Sequence, residues 1–286
     1  MSEAPINRQA EDYFAQDAES SSFIAQRLAF AQPIVRDAAA LAMALRPAPG
    51  GPAASLKGRQ DYVTEADKAV EKLISARIQA LYPGDGFIGE EDGSQREGQF
   101  TWVVDPIDGT SNFARGRDRW CVSLGLLHEG RPIGGIIFAP ALDEFYLGQI
   151  GVGAWMNGRP LKASPLTDGK SAMIEMGWSP FVTTEEYARR MSQFLALGAM
   201  PRSSGSGALA AADVASGRLD AYLEIAINLW DVAAALVLLS EAGAVTSDFL
   251  GEGGATRPTR FLAAAPGLAE ALQRATDIPL KSAEPA

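Results

Sequence analysis

Residues 102–113 read WVVDPIDGTSNF. The apolar run Trp102-Val103-Val104 reads as a buried strand. It ends in two aspartates three residues apart, Asp105 and Asp108, with Pro106 between them and Gly109-Thr110-Ser111 behind. Two carboxylates this close repel unless a cation or a proton sits between them. Pro106 blocks continuation of the strand, and Gly109 permits a tight bend. The chain is expected to curl both carboxylates, and the Ile107 carbonyl between them, around one point.

Working outward, other acids also stand at the ends of apolar segments. Asp67 lies at a helix start, Glu90, Glu91 and Asp92 follow Phe87-Ile88-Gly89, and Asp231 opens the apolar run from Val232. Each has an ordinary explanation by itself: an acid near a helix start is favoured by the macrodipole, and Glu-Glu-Asp makes a solvated turn. The pair Asp105 and Asp108 is harder to explain that way. Oxygen donors with neither histidine nor thiolate among them suit Mg²⁺. Behind them, Gly109, Thr110 and Ser111 add N–H groups and hydroxyls, an anion site if a helix starts there. Carboxylates, a cation and an N–H cradle together describe phosphate-ester chemistry and resemble a two-metal arrangement.

The whole chain bounds this reading. It has 286 residues, 47% of them hydrophobic and 21% charged, enough apolar content for a core without disulfides or a structural metal. A net charge of −10 argues against nucleic acid or an anionic membrane as partner, but not against an anionic substrate met through cations. Cys121, the one cysteine, reads as a small buried hydrophobe. His128, the one histidine, sits in the polar turn His-Glu-Gly-Arg and makes a Ser-His-Asp triad a poor reading. The N-terminus is polar and acidic, and no long uncharged apolar stretch follows, so the protein is expected to be soluble and cytoplasmic with no membrane partner.

Residues 1–20 read as a flexible leader. Helical periodicity spans 23–45, the Pro- and Gly-rich stretch 47–60 reads as a mobile loop, and Thr64 with Asp67 opens a helix over 65–81. Short strands are expected at 87–88, 102–104, 120–127, 131–138 and 144–147, with a hairpin over 151–161. Residues 21–165 thus form an α+β half with an antiparallel sheet. Residues 166–280 alternate: strands at 172–176, 221–225, 244–247 and 260–264, helices at 184–197, 208–216, 232–242 and 268–275. That order predicts a layered α/β half.

Four segments in order, DYVTEAD (61–67), GEE (89–91), DPIDGTSNF (105–113) and WDVAAALVLLSEAGA (230–244), resemble the inositol monophosphatase family of Mg²⁺-dependent, Li⁺-sensitive phosphatases. The match covers about residues 20–275. The resemblance implies a five-layered αβαβα sandwich of the inositol monophosphatase and fructose-1,6-bisphosphatase type, as a homodimer. It implies two or three Mg²⁺ ions: one on Glu90, Asp105 and the Ile107 carbonyl, a second on Asp105, Asp108 and Asp231, and a weaker third near Glu90. Gly109 and Thr110 N–H groups would bind phosphate, and Thr110, paired with Asp67, would orient the attacking water. Gly205, Ser206, Gly207 and Glu224 match the substrate wall, with Asp108 and Asp231 also facing the substrate. Asn228 stands where the family often has histidine or lysine, and Ser204-Gly205-Ser206-Gly207 is richer in glycine than usual. Both departures bear on the substrate. Inositol 1-phosphate is the leading expectation, with histidinol phosphate or a fructose-1,6-bisphosphate-like sugar phosphate as alternatives. A nucleotide ranks lower for want of a visible adenine pocket. The non-enzymatic rival is a regulatory partner of transcription machinery.

Overall fold

A computed structural model describes residues 18–47, 55–58, 61–63, 65–91 and 95–282. Most of the leader, the Thr64 cap, Asp92 and parts of the stretches 47–60 and 91–99 lie outside the described residues. Among the described residues, two large sheets carry the architecture. The first joins β3 (Gly86–Gly89), β4 (Gln95–Arg96), β5 (Phe100–Asp108), β6 (Cys121–His128), β7 (Arg131–Ala139), β8 (Glu144–Gln149), β9 (Gly153–Met156) and β10 (Arg159–Pro160). Its order is β10-β9-β8-β7-β6-β5-β3-β4, antiparallel except where β3 runs beside β5. The second joins β11 (Met173–Met176), β12 (Met200–Arg202), β13 (Ala221–Ile227), β14 (Val245–Thr246), β15 (Thr259–Ala264) and β16 (Lys281–Ser282). Its order is β12-β11-β13-β15-β14-β16, with β11 parallel to both neighbours. A small ribbon pairs β1 (Ser55–Gly58) with β2 (Asp61–Val63).

Helices fill three further layers. On the outer face of the first sheet lie α1 (Ala18–Leu45) and α2 (Glu65–Leu81). Ile24, Leu28, Ala31, Val35, Ala38 and Ala42 recur along α1 at three- and four-residue steps and are buried with Val70, Ile74 and Ile78 of α2 against Trp102, Val104, Leu124 and Ile136. By length and hydropathy, residues Ser22–Leu45 of α1 could also cross a membrane. In this fold its apolar stripe is spent on the first sheet and α2. Between the sheets run α5 (Gly207–Ala215) and α6 (Leu229–Glu241), buried on nearly every side because both faces meet a sheet. Outside the second sheet, α4 (Thr184–Ala196) and α7 (Ala269–Thr276) cover Ile174, Leu223 and Leu262 with Phe194 and Leu272. Helix, sheet, helix, sheet, helix is the five-layered sandwich that the resemblance implied.

One device sets the site. Gly125, Gly135 and Gly148 lie in register across β6, β7 and β8. A Cβ on Gly125 would lie 2.7 Å from that of Ala233, one on Gly148 would lie 2.9 Å from Leu238 Cδ2, and one on Gly135 would collide with the Ala234 backbone. The three glycines form a groove in which α6 rests on the sheet. That seating carries the first turn of α6, with Asp231, to the end of β5.

Several expectations need correction. Pro106 does not end its strand: β5 continues to Asp108 through a register shift, with Asp105 opposite Ser123 and Asp108 opposite Cys121. The bulge absorbs the missing proline N–H. Within 47–60, expected to hold no regular element, Ser55–Gly58 forms β1. Gln95–Arg96, where no element was expected, pairs with β3. The short strands β12 and β16 were not expected; two or three residues carry too little pattern to be read.

Candidate active site

The bulge turns β5 into a platform for acids. Asp105 Oδ1 accepts the Ile107 N–H at 3.0 Å, and the Ile107 carbonyl accepts the Thr110 hydroxyl at 2.9 Å. Gly109 adopts φ 92° and opens the short helix α3 (Thr110–Ala114). A Cβ there would lie 3.0 Å from the carbonyls of both Arg119 and Gly205, so conformation and crowding both select glycine. Thr110 donates a second contact to Asp67 Oδ1 at 3.3 Å; Asp67 is fully buried at the start of α2.

Asp108 is clamped from the opposite side. Its carboxylate accepts the Ser206 hydroxyl, the Gly207 N–H at 3.1 Å, the Ala208 N–H at 2.8 Å and a weak S–H contact from Cys121 at 3.6 Å. Ser206 is the N-cap of α5, so Asp108 takes the place of an anion at that helix's first turn. The Ser206 hydroxyl, expected on the substrate wall, is buried and turned toward Asp108. Cys121, expected as an inert hydrophobe, is buried as expected but lies beside a carboxylate.

Asp231 completes the group from α6. Its Oδ2 accepts the Asn228 N–H at 2.8 Å in a capping box, so Asn228 helps to orient it. Oxygens of Asp105, Asp108 and Asp231 all lie within 4.8 Å of one another. Burial raises the pKa of each. Asp105 stands well above the usual range, next because of Glu90, then Asp108, Asp231 and Asp67; Asp231 is raised further by Asp108 and Glu224. Three such acids ionise together only if a cation shares them, and three hard oxygens within that span fit a divalent ion. Glu90, half-buried after β3, is near enough to act on Asp105 but stands outside the tight group.

The residues expected to form the substrate wall stand at two places: Glu224 on β13, and Gly205, Ser206 and Gly207 where the chain enters α5. Gly205 has φ 80°, and a Cβ on Gly207 would lie 2.9 Å from the Tyr222 hydroxyl. Tyr222 donates to Glu224 Oε2 at 2.6 Å. Burial first, then Asp108 and Glu175, raise Glu224 to a pKa of about 8 against the Tyr222 hydrogen bond.

Sequence reasoning missed the scaffold of this wall. Asn112 Nδ2 donates to the carbonyls of Arg119 (2.7 Å), Ser204 (2.8 Å) and Gly205 (3.2 Å). Arg119 donates to Ser204 Oγ at 2.8 Å and pairs with Asp213 at 2.9 Å. Asn112 stood inside the motif 105–113 as a visible signal. Arg119 and Asp213 had none, because their partner lies 94 residues away.

The model of the inositol monophosphatase family matches residues 24–278. The chain is 39% identical to Nus factor SuhB of Xylella fastidiosa over 68% of its own length and 72% of the relative's. It is 38% identical to inositol-1-monophosphatase of Mesorhizobium japonicum, over 69% and 76%. In three dimensions it resembles the Thermotoga maritima IMPase, with TM-score 0.79 and 28% identity over 88% of this chain and 97% of that one. It also resembles SaIMPase-II of Staphylococcus aureus with inositol monophosphate bound, with TM-score 0.72 and 28% identity over 87% and 91%. Acid cluster, layer order and family match converge: the chain belongs to the inositol monophosphatase family and is a phosphatase.

Proposed function

We propose that the chain hydrolyses inositol 1-phosphate or a closely related small phosphate monoester in a Mg²⁺-dependent reaction. The observation that carries the reading is the convergence of Asp105, Asp108 and Asp231, from two distant elements, within 4.8 Å. Glu90, Asp105 and the Ile107 carbonyl would hold one ion; Asp105, Asp108 and Asp231 would hold another; a third would sit near Glu90. Bound there, Mg²⁺ supplies Lewis-acid chemistry, making water a nucleophile and neutralising charge on the departing ester oxygen.

The chain's own groups do the rest. N–H groups of Gly109 and Thr110 hold the phosphoryl oxygens. Thr110, braced by Asp67 and the Ile107 carbonyl, points its hydroxyl oxygen at the attacking water. Glu90 stands beside that water to take its proton. Gly205, Ser206, Gly207 and Glu224 form the wall for the alcohol, with the Ser206 hydroxyl acting through Asp108. Near neutral pH Glu224 carries its proton, given its pKa of about 8, so it offers a donor to a polyol hydroxyl. The assembly we propose is a cytoplasmic homodimer.

A panel of phosphate monoesters, inositol 1-phosphate and histidinol phosphate first, tests the substrate in Mg²⁺ and in chelator. Turnover that survives chelation contradicts the proposal, and preference for histidinol phosphate reassigns the substrate. Lithium is expected to inhibit at about millimolar concentration by competing for the Asp105, Asp108 and Asp231 position; an unaffected rate counts against that ion site. The name Nus factor SuhB, carried by a relative at 39% identity, favours a second reading in which the protein also binds a partner. Asp105→Asn separates the two: it abolishes turnover and leaves partner capture intact.

A further inference from the structure

Helix α2 presents two buried carboxylates four residues apart on one face, Asp67 and Glu71. Asp67 braces Thr110. Nothing in the proposed reaction employs Glu71, although it is only 2% exposed. Burying a carboxylate is costly unless hydrogen bonds compensate it. Glu71 Oε2 accepts the N–H of Glu91 at 2.9 Å. Its carboxyl group also fills the space that a side chain on Gly89 would need, since a Cβ there would collide with the Glu71 carboxyl carbon and both oxygens. The glycine of the Gly-Glu-Glu segment is therefore matched to a carboxylate from another element. Gly89 ends β3 opposite Val104, whose carbonyl accepts the Glu90 N–H at 3.3 Å. Backbone on both sides of Glu90 is thus tied down, by β5 through its own N–H and by α2 through the N–H of the next residue. Between those ties the Glu90 side chain stands near enough to Asp105 to act on it electrostatically.

We infer that Glu71 is a positioning residue: it locks the Gly89–Glu91 turn so that Glu90 faces Asp105. With Asp67 four residues before it, α2 joins β5 in setting both Glu90 and Thr110. The inference rests on the metal-dependent reading for what Glu90 does once it is placed. Residues outside the ligand set that orient a ligand commonly control affinity by about ten- to a hundredfold.

Divalent-ion binding tests this directly, with Mn²⁺ as the probe and the free-ion electron paramagnetic resonance signal as the readout, beside thermal midpoints. Glu71→Ala is expected to weaken the ion that depends on Glu90 by about tenfold or more. The ion on Asp105, Asp108 and Asp231 should change by less than about twofold, because its ligands come from β5 and α6. Glu71→Gln keeps the length and one acceptor oxygen and is expected to restore most of the affinity. Glu71→Asp keeps the charge but not the reach and should behave like Glu71→Ala. Gly89→Ala should produce the same loss by displacing the carboxylate, and Gly89→Ala combined with Glu71→Ala should be no worse than either change alone. Additive losses overturn the inference, and so does Mn²⁺ affinity equal to wild type in Glu71→Ala. If Glu71→Ala does not fold, Glu71→Asp against Glu71→Gln carries the same comparison: equal affinity in the two overturns it. Wild-type protein that takes up no Mn²⁺ brings down the metal-dependent reading itself, whereas ion uptake indifferent to position 71 removes only the role of Glu71.

Discussion

Asp231 shows what a single half-buried carboxylate does in this site. It sits among acids that raise one another's pKa, so without a cation it adds repulsion to the fold. Asp231→Asn removes a proposed ligand and a charge while keeping an oxygen for the Asn228 N–H. Turnover is expected to fall by about a hundredfold or more, as loss of a ligand implies. The metal-free protein is expected to gain roughly 1–3 kcal/mol in the same substitution. Denaturant unfolding in chelator checks the second half, and a variant less stable than wild type contradicts the electrostatic account. Ser206 works in the other direction. Its hydroxyl both caps α5 and donates to Asp108. Ser206→Ala should cost about 1 kcal/mol as a lost cap. It should also raise the Mg²⁺ concentration needed for half-maximal rate; an unchanged Mg²⁺ dependence would show that the clamp on Asp108 does not matter for the ion.

Among the elements, α6 is the one whose seating decides the chemistry. It enters the chain after Asn228, yet it packs on β6, β7 and β8, which precede it by about a hundred residues. Its approach is set by Gly125, Gly135 and Gly148, where added carbon has nowhere to go. Gly135→Ala forces the Cβ against the Ala234 backbone, which cannot rotate away as a side chain could. The expected cost is about 1–3 kcal/mol of overpacking. Because Asp231 rides on the displaced helix, divalent-ion affinity should fall together with the thermal midpoint. Calorimetric titration with Mg²⁺ checks this, and a destabilised variant with wild-type affinity would mean that the helix turn carrying Asp231 is placed by something else. The bulge in β5 makes the same point: two carboxylates face one position because the strand gains a residue between Asp105 and Asp108.

The whole molecule carries these local conflicts as a dependence on pH. Glu224 keeps its proton in the fold up to a pH of about 8, while in the unfolded chain it loses it near the ordinary 4.5. Asp105, Asp108 and Asp231 are shifted in the same direction. Between those limits the unfolded state binds fewer protons than the folded one, so stability falls as pH rises. The metal-free protein is therefore expected to lose about 5 °C or more in thermal midpoint between pH 5 and pH 8. Saturating Mg²⁺ should flatten the profile, because a bound cation removes the reason for the acids to stay protonated. Melting curves in chelator and in Mg²⁺ across that range provide the measurement. A metal-free midpoint that rises with pH refutes the burial of these acids.

Much of this was legible in the chain alone. The pair Asp105 and Asp108 behind an apolar run, followed by a glycine that permits a tight bend, pointed to carboxylates gathered around one position, because the repulsion and the turn are local facts. The periodicities of α1, α2 and α4 to α7, and the alternation of strands and helices after residue 172, were enough to predict an α+β half followed by a layered α/β half, while the order of five layers came from the family resemblance. Hidden from that reading were the passage of β5 through Pro106, the glycine groove under α6, the turn of the Ser206 hydroxyl toward Asp108, and the hold of Glu71 on the turn at Gly89. Each depends on a partner distant in the chain or on room left by an absent side chain. A sequence by itself determines which groups are available and which local conformations they permit. Only the tertiary structure decides which carboxylates come within reach of one another and which hold a neighbouring turn in place, because that choice is made by distances between elements that no local pattern encodes.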